Sequence, residues 1–195
     1  LLEVAGRRIL FSGDLGRPND LLMNPPDAPP PADTVLIEST YGDRTHPEED
    51  ILGELASALQ RVSARGGVAV VPVFAVGRAQ ALLHAIAHHL AMHLPNHRNM
   101  VILTGFQAPG TRGATLASGG AFLRIHGQDV PVKAEVVSLS SASAHADRQQ
   151  LLGWLQSMKQ APGQVYVVHG ERGASDALRK DIEHQLKWRA LAPEH

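Results

Sequence analysis

A change of hydrophobic period near the middle of the chain limits the fold more than any other feature. Apolar residues recur at helical spacing from Pro47 to Arg65, with proline and acids at the start and Gly66-Gly67 at the end, which predicts an α-helix. The next run, Val68 to Val73, is rich in β-branched residues and predicts a strand, and Gly77 to about Leu90 is helical again. Strand, turn and helix in succession are typical of α/β folds.

The same alternation is predicted on both sides of this segment. Leu1 to Val4, a turn at Ala5-Gly6 and Arg7 to Phe11 predict a hairpin, and the proline-rich residues 24–31 predict a loop, because proline fixes φ and lacks an N–H donor. The further predicted strands are Thr34 to Ile37, Met100 to Thr104, Ala121 to His126, Val132 to Leu139 and Gln164 to Val168, and the further helices are Asp147 to Met158 and Ser175 to Leu186. We expect an α/β chain whose first hairpin belongs to a fold that begins upstream.

The composition excludes several functional classes. With 44% hydrophobic residues among 195, the chain has enough apolar side chains for a buried core of one domain or slightly more. Its 18 Lys and Arg balance 19 Asp and Glu, so a polyanion would have to be held by local groups. Cysteine is absent, which excludes disulfides and thiolate zinc sites, and no apolar run reaches the roughly 20 residues of a membrane span. We expect a globular, cytoplasmic protein with no membrane partner.

Metal-capable side chains follow several predicted strands. Asp14 comes after the first hairpin, Glu38 after the strand that begins at Thr34, and His169 after the strand that begins at Gln164. Carboxylates and imidazoles at rigid strand ends can form a hydrolytic metal centre. From the residues alone the alternatives stay open, since Asp14 and Glu38 also suit turns or helix caps and a lone strand-end histidine also suits the surface.

Six short segments, taken in order, resemble the β-CASP branch of the metallo-β-lactamase superfamily, which contains RNA-processing nucleases. They are Phe11 to Arg17, Ile37 to Arg44, Phe74 to Gln80, Gly105 to Gly113, Ser143 to Asp147 and Val168 to Glu171. Several motifs in the correct order are far more specific than any one of them. The resemblance implies an α/β fold, namely part of a metallo-β-lactamase αβ/βα sandwich with an inserted β-CASP domain.

The resemblance also implies roles for individual residues. Asp14 matches the aspartate that bridges two zinc ions, and His169 matches a terminal ligand of the second zinc. Glu38 and His145 match a pair beside the metals, in which the carboxylate orients the imidazole and keeps it protonated. The implied reaction is hydrolysis of an RNA phosphodiester by a metal-bound hydroxide, with His145 assisting the leaving group.

Contacts to the substrate phosphate are expected from the inserted domain. Gly77 opens a predicted helix whose free N–H groups suit an anion, and Arg78 adds a positive charge. Arg112, in a glycine-rich turn, is a second candidate for the same role. Either arginine also suits an ordinary surface ion pair.

Two departures from the family pattern set limits on this interpretation. The chain contains no His-x-His-x-Asp-His segment, which in the family precedes the position of Asp14 and supplies most zinc ligands. The insertion is abridged, with a predicted junction near Ile86 or Ala87. Both departures favour a fragment of a longer RNA-hydrolysing nuclease, inert by itself. The alternative is a non-catalytic β-CASP scaffold or RNA-binding subunit, and a small-molecule hydrolase of the superfamily ranks third.

The predicted organisation has three segments. Residues 1–44 and 139–195 are expected to form part of the metallo-β-lactamase domain, and residues 45–138 the abridged β-CASP insertion. Without the upstream half, one face of the sandwich would be bare, and exposed apolar sheet favours pairing with another chain. We therefore expect RNA as substrate and, as protein partner, either a second copy or a missing N-terminal segment of the same protein.

Overall fold

The computed structural model describes residues 1–18, 24–46, 50–72, 87–139 and 143–193, and it confirms the predicted α/β class. The strands are β1 (Leu2–Val4), β2 (Arg7–Phe11), β3 (Thr34–Glu38), β4 (Ala69–Val70), β5 (Met100–Thr104), β6 (Phe122–Ile125), β7 (Gln128–Pro131), β8 (Glu135–Leu139), β9 (Gln164–Val168) and β10 (Ala190–Leu191). The helices are α1 (Ile51–Ala64), α2 (residues 87–93), α3 (Arg112–Ala117), α4 (Arg148–Gln156) and α5 (Arg172–Asp181), and a π-helical turn follows at Ile182–Leu186. Two compact units result, unit 1 from Leu1–His46 with Ala144–His195 and unit 2 from Pro47–Ser143.

A five-stranded sheet, in the order β1-β2-β3-β9-β10, is the centre of unit 1. Strands β2, β3, β9 and β10 are parallel to one another, and β1 pairs antiparallel with β2. Buried side chains on one face of the sheet join those of α4, α5 and the π-helical turn in a single core, and they include Val35, Ile37, Val165, Val167, Leu151, Leu155, Leu178 and Ile182. Because the parallel strands point the same way, their carboxyl ends lie at one edge of the sheet.

The opposite face of this sheet carries an apolar row. Phe11, Leu36, Tyr166 and Leu191 lie in register across β2, β3, β9 and β10. Phe11 and Leu191 are each 52% exposed, and the two residues between them are half-buried. Parallel sheets are normally covered on both faces, so this face is consistent with a further layer. Its occupant, a second copy or an upstream segment, stays a prediction.

Unit 2 contains a three-stranded parallel sheet, in the order β4-β5-β8, and the β6–β7 hairpin. Helix α1 begins after Asp50, whose side chain accepts a hydrogen bond from the N–H of Gly53, and it buries Ala58 and Val62 against the sheet. The predicted helix from Pro47 to Arg65 is confirmed apart from residues 47–49, which lie outside the described residues. None of the helices in the described part of the chain is long and apolar enough to cross a membrane.

Two predicted strands of unit 2 differ from the structure. The predicted strand from Val132 to Leu139 is too long, because the N–H groups of Lys133 and Ala134 donate to the carbonyl of Leu94 and β8 begins only at Glu135. Within residues 68–72 the predicted strand from Val68 to Val73 is reduced to Ala69–Val70, and Val73 lies outside the described residues. Helix α3 was not predicted, since its glycine-rich sequence favours a turn.

Gly170, directly after His169, provides a test of the close packing in unit 1. A Cβ at Gly170 would lie 2.5 Å from the carbonyl oxygen of Ser39 and closer still to its Oγ, whereas a Cβ at Gly173 meets nothing within 4 Å. We expect Gly170→Ala to lower the free energy of unfolding by about 1–3 kcal/mol, as overpacking does. Gly173→Ala, in α5, should leave it unchanged or raise it by up to about 1 kcal/mol. Urea unfolding of the two variants checks this, and equal stabilities would contradict the predicted clash.

Candidate active site

Three of the four predicted catalytic and metal-binding residues lie at the carboxyl edge of the unit 1 sheet. Asp14 follows β2, Glu38 is the last residue of β3, and His169 follows β9. The turn after β2 is tied to β3, because the N–H of Ser12 donates to Leu36 and its Oγ accepts from the N–H of Glu38 at 3.0 Å. This edge is where open α/β sheets place their ligands. The strand ends thus bring together side chains that are far apart in sequence.

His145 reaches the same edge through a short β-bridge rather than a strand. It pairs antiparallel with Gly16, and the N–H of Ala146 donates to the carbonyl of Leu15 at 2.7 Å. The turn that carries Asp14 therefore also holds the segment that carries His145. As a result, Nδ1 of His145 lies 3.2 Å from Oε1 of Glu38.

Glu38 is a buried carboxylate, 2% exposed, with hydrogen bonds to both oxygens. Oε1 accepts from the N–H of Leu15 at 2.8 Å and from His145, and Oε2 accepts from the N–H and the hydroxyl of Thr40 at 3.2 and 2.7 Å. Burial acts to raise the pKa of Glu38, but the hydrogen bonds from His145 and Thr40 outweigh it and hold the pKa below its usual value. Glu38 is therefore ionised despite its burial.

The carboxylate of Glu38 favours the charged form of the His145 imidazole. The hydrogen bond to Glu38 raises the pKa of His145 above its ordinary value, although partial burial acts in the opposite direction. Since Nδ1 donates to Glu38, transfer of a proton to a substrate oxygen would come from Nε2. A positioned histidine with a raised pKa is suited to general-acid catalysis.

The pair also predicts a pH dependence of stability. A histidine whose pKa rises on folding stabilises fully below its unfolded value, about 6.5, and this contribution is lost as the pH rises through the folded pKa. Glu38, with a lowered pKa, contributes above its ordinary value of 4.5 and loses the contribution as the pH falls through the folded pKa. We expect the stability gap between the native chain and His145→Gln to be largest at about pH 5–6.5 and to shrink at higher pH. Urea unfolding across pH measures the gap, and a constant gap would contradict the assignment.

Asp14 and His169 lie beside each other in solvent. Nδ1 of His169 is 3.4 Å from Oδ1 of Asp14, and their side chains are 63% and 67% exposed. His169 has φ of +55°, in the left-handed region that is uncommon for a residue with a side chain. Strained backbone of this kind concentrates at functional sites. The pair therefore has the residue types, the proximity and the access that two metal ligands need.

These two ligands do not complete a zinc site. Catalytic zinc centres use three protein ligands and leave a further position open. Within the described ranges, no group of three or more His, Cys, Asp or Glu side chains is arranged to hold a metal ion. The residues that the structure describes therefore fit only part of the two-zinc centre that the sequence resemblance implies.

The structure describes one of the three proposed phosphate-binding residues. Gly77 and Arg78 lie outside the described residues. Arg112 begins α3 in unit 2, where its Nε donates to the carbonyl of Arg124 at 2.9 Å and its side chain is exposed. Their role in binding phosphate stays a prediction.

Several supporting residues were not found from the sequence. Thr40 donates twice to Glu38, and a hydroxyl two residues after a strand-end acid was the available signal. His46 is buried and contacts the carbonyl of His145, yet nothing in the local pattern around it predicts this. Asp147 caps α4 through the N–H of Gln150 and also accepts from the N–H of His46. The two contacts of His46, with the carbonyl of His145 and with the side chain of Asp147, join segments about 100 residues apart.

Comparison with known families supports the assignment made from the motifs. A family model described as the Zn-dependent metallo-hydrolase RNA specificity domain matches residues 129–193. A second model, described as the Beta-Casp domain, matches residues 81–116. The chain belongs to the β-CASP branch of the metallo-β-lactamase superfamily. The resemblance predicted from the six segments is thereby confirmed.

Individual β-CASP relatives match the chain over different lengths. Ribonuclease TTHA0252 of Thermus thermophilus is 27% identical over 262 residues, covering 90% of this chain and 60% of the relative. The RNase J-like protein of Methanocaldococcus jannaschii is 24% identical over 279 residues, covering 98% of this chain and 65% of the relative. Endoribonuclease YSH1 of Mycosarcoma maydis is 41% identical over 99 residues, covering 50% of this chain but only 11% of the relative. The chain thus spans less than two thirds of each of these relatives.

Proposed function

We propose that this chain is part of a zinc-dependent ribonuclease, here called the parent protein, that hydrolyses RNA phosphodiester bonds in RNA processing or degradation. The observation that carries the proposal is the buried Glu38, whose Oε1 lies 3.2 Å from Nδ1 of His145 on the sheet edge where Asp14 and His169 also lie. A solvated surface histidine has no need of such a partner. Both histidines lie within the segment matched by the RNA specificity domain.

RNA is the proposed substrate on two grounds. The matched domain is described by its specificity for RNA, and relatives that match the chain carry the names of ribonucleases. The balanced charge of the chain does not exclude RNA as a substrate, because local groups would hold the phosphate. Gly77, Arg78 and Arg112 remain the proposed contacts to the substrate phosphate.

The proposed reaction gives separate roles to the pair Glu38 and His145 and to the pair Asp14 and His169. Glu38 orients His145 through Nδ1 and keeps it charged, and His145 gives a proton from Nε2 to the oxygen that leaves when the phosphodiester bond breaks. Asp14 and His169 offer adjacent ligands for zinc, and bound zinc would supply the Lewis acidity that such hydrolases use. The remaining ligands are proposed to lie in residues outside this chain.

The same proposal accounts for the length of the relatives. Alignments of 262 and 279 residues are longer than the 195-residue chain, so these relatives contain residues that the chain lacks. We assign residues 1–44 and 139–195 to the metallo-β-lactamase domain and 45–138 to an abridged β-CASP insertion. The 195 residues alone are proposed to be inactive, and to need an upstream segment or a second copy. A cytoplasmic location, suggested by the absence of cysteine, stays part of the proposal.

A non-catalytic scaffold or RNA-binding subunit is the second candidate. The incomplete set of metal ligands in the described part of the chain favours it. The intact pair of Glu38 and His145 favours the nuclease, since a scaffold has no use for a buried carboxylate that keeps a histidine charged. Zinc content of the parent protein separates the two, because only the nuclease requires it.

Replacing His145 tests the proposed function most directly. In the parent protein, His145→Ala should lower the rate of RNA cleavage by about 100- to 10,000-fold, the usual contribution of a general acid. Zinc content should not change, because His145 is not among the proposed ligands. His184→Ala, at an exposed histidine of the π-helical turn, is the control and should cleave normally. Undiminished cleavage by His145→Ala would overturn the role given to His145.

A further inference from the structure

A buried histidine outside the predicted motifs contacts the backbone of His145. His46 is 8% exposed, and its Nε2 lies 3.1 Å from the carbonyl oxygen of His145. Its backbone N–H donates to Oδ2 of Asp147 at 2.8 Å. Its ring meets that of Tyr41 edge to face, with the centroids 4.7 Å apart. One residue thus contacts the segment of His145 through both its ring and its backbone.

The partner of Nε2 determines which nitrogen of His46 carries a hydrogen. A carbonyl oxygen can only accept a hydrogen bond, so Nε2 must be the donor. The opposite tautomer would place two lone pairs against each other in a buried position, where an unmet carbonyl is costly. The contact is therefore directional, from His46 to His145.

The position of His46 explains why such a contact is useful. His46 is the last residue of the first segment of unit 1, and Ala144 is the first residue of the second. His145 therefore lies directly where the chain re-enters the unit, and helix α4 begins only at Arg148. The bridge to Gly16 and the hydrogen bond from Ala146 hold the neighbouring backbone. The hydrogen bond from His46 fixes the carbonyl of His145 itself.

We propose that His46 is a positioning residue for the reaction and that it acts by fixing the backbone from which the imidazole of His145 reaches Glu38 and the leaving oxygen. The inference rests on the proposed function. His46 is too buried to contact RNA, so its effect passes through His145. Glu38 sets the orientation and charge of the imidazole, and His46 sets the place of the peptide that carries it.

The size of the effect follows from the cost of misplacing a catalytic group. A displacement of about 1 Å can lower a rate about 100-fold, and loss of an outer supporting contact typically costs about 10- to 100-fold. His46→Phe keeps a ring against Tyr41 but removes the donor. We expect it to lower kcat about 10- to 100-fold while KM changes less than about 2-fold, as for an interaction that matters only in the transition state.

A conservative replacement separates positioning from bulk stability. The amide nitrogen of His46→Gln can take the place of Nε2 and donate to the same carbonyl, so most of kcat should return. His93→Phe in unit 2 is the matched control, because it also removes the ring of a half-buried histidine that contacts a polar group, here the side chain of Asn99 at 3.3 Å. Its kcat should equal that of the native protein. All three variants are measured in the parent protein with an RNA oligonucleotide, together with zinc content.

The outcomes distinguish this inference from the proposed function. A native parent protein that does not cleave RNA overturns the proposed function. If the native protein cleaves RNA and His46→Phe cleaves it equally fast, only the role of His46 is overturned. The same follows if His46→Phe lowers kcat and His46→Gln does not restore it. Long-range ¹H–¹⁵N spectra of the histidine rings test the contact without any activity. We expect hydrogen on Nε2 of His46, and a ring protonated on Nδ1 alone would overturn the inference.

Discussion

In the parent protein, Asp14→Asn and His169→Asn should each reduce zinc content and lower RNA cleavage by at least about 100-fold, with little change in stability. Loss of a residue that only supports a metal ligand already costs about 10- to 100-fold, so loss of a ligand itself should cost no less. Asparagine is chosen at position 169 because it tolerates the left-handed backbone that His169 adopts, with φ of +55°. The folded chain therefore keeps its turn while it loses the imidazole.

Stability should be spared because the two side chains are exposed. His169 and Asp14 are 3.4 Å apart at their nearest nitrogen and oxygen but more than 60% exposed, and exposed ion pairs contribute only about 0–1 kcal/mol. Asp27→Asn is the matched control, since Asp27 is an exposed aspartate whose backbone carbonyl, rather than its side chain, accepts from Trp154. Metal analysis, cleavage rates and urea unfolding are measured on all three variants. Full zinc content in either site variant would exclude that residue as a ligand.

The site was predictable where it depends on strand ends and motifs. Asp14, Glu38 and His169 each follow a run of apolar residues, and parallel strands bring such positions to one edge without further information. The pairing of Glu38 with His145 came from the family pattern, because 107 residues separate the two in sequence. Composition and periodicity alone left both residues open to ordinary roles in turns or on the surface.

The contacts that support the site were not predictable, for a physical reason. The role of His46 depends on a carbonyl 99 residues away, and that of Leu15 on its backbone N–H, which every residue except proline carries. Neither gives a periodic or compositional signal. The break between β7 and β8 is similar, because it depends on the carbonyl of Leu94 accepting from two successive N–H groups. Local sequence propensity does not predict hydrogen bonds to acceptors that are distant in the sequence.

Glu38→Ala is expected to cause a large loss of stability, in contrast to the variants of Asp14 and His169. It removes a buried acceptor and leaves the N–H groups of Leu15 and Thr40 without their partner. Breaking a buried charged pair by deleting one member costs about 3–5 kcal/mol. This is a large part of the roughly 5–15 kcal/mol that stabilises a typical protein, so the variant should be partly unfolded in conditions where the native chain is folded.

Glu38→Gln keeps the prediction testable if the alanine variant does not fold. Glutamine has the same shape but a single acceptor oxygen, so it can satisfy either Leu15 or Thr40 and not both. The loss of stability should fall between the native chain and Glu38→Ala. Because the hydrogen bond to Glu38 is the main cause of the raised pKa of His145, the pKa of His145 should fall in this variant, as a histidine NMR titration would measure.

An exposed acid provides the control for both variants. Glu171 directly precedes α5 and makes no side-chain hydrogen bond to the helix, so Glu171→Ala and Glu171→Gln should change stability by less than about 0.5 kcal/mol. Urea unfolding at neutral pH compares the two series. If Glu38→Ala unfolded with the same free energy as Glu171→Ala, the hydrogen bonds at Glu38 would contribute nothing to the fold. A buried carboxylate that costs nothing to remove would also be unable to hold the charge of His145, since the same hydrogen bonds stabilise the ionised carboxylate and the imidazolium beside it.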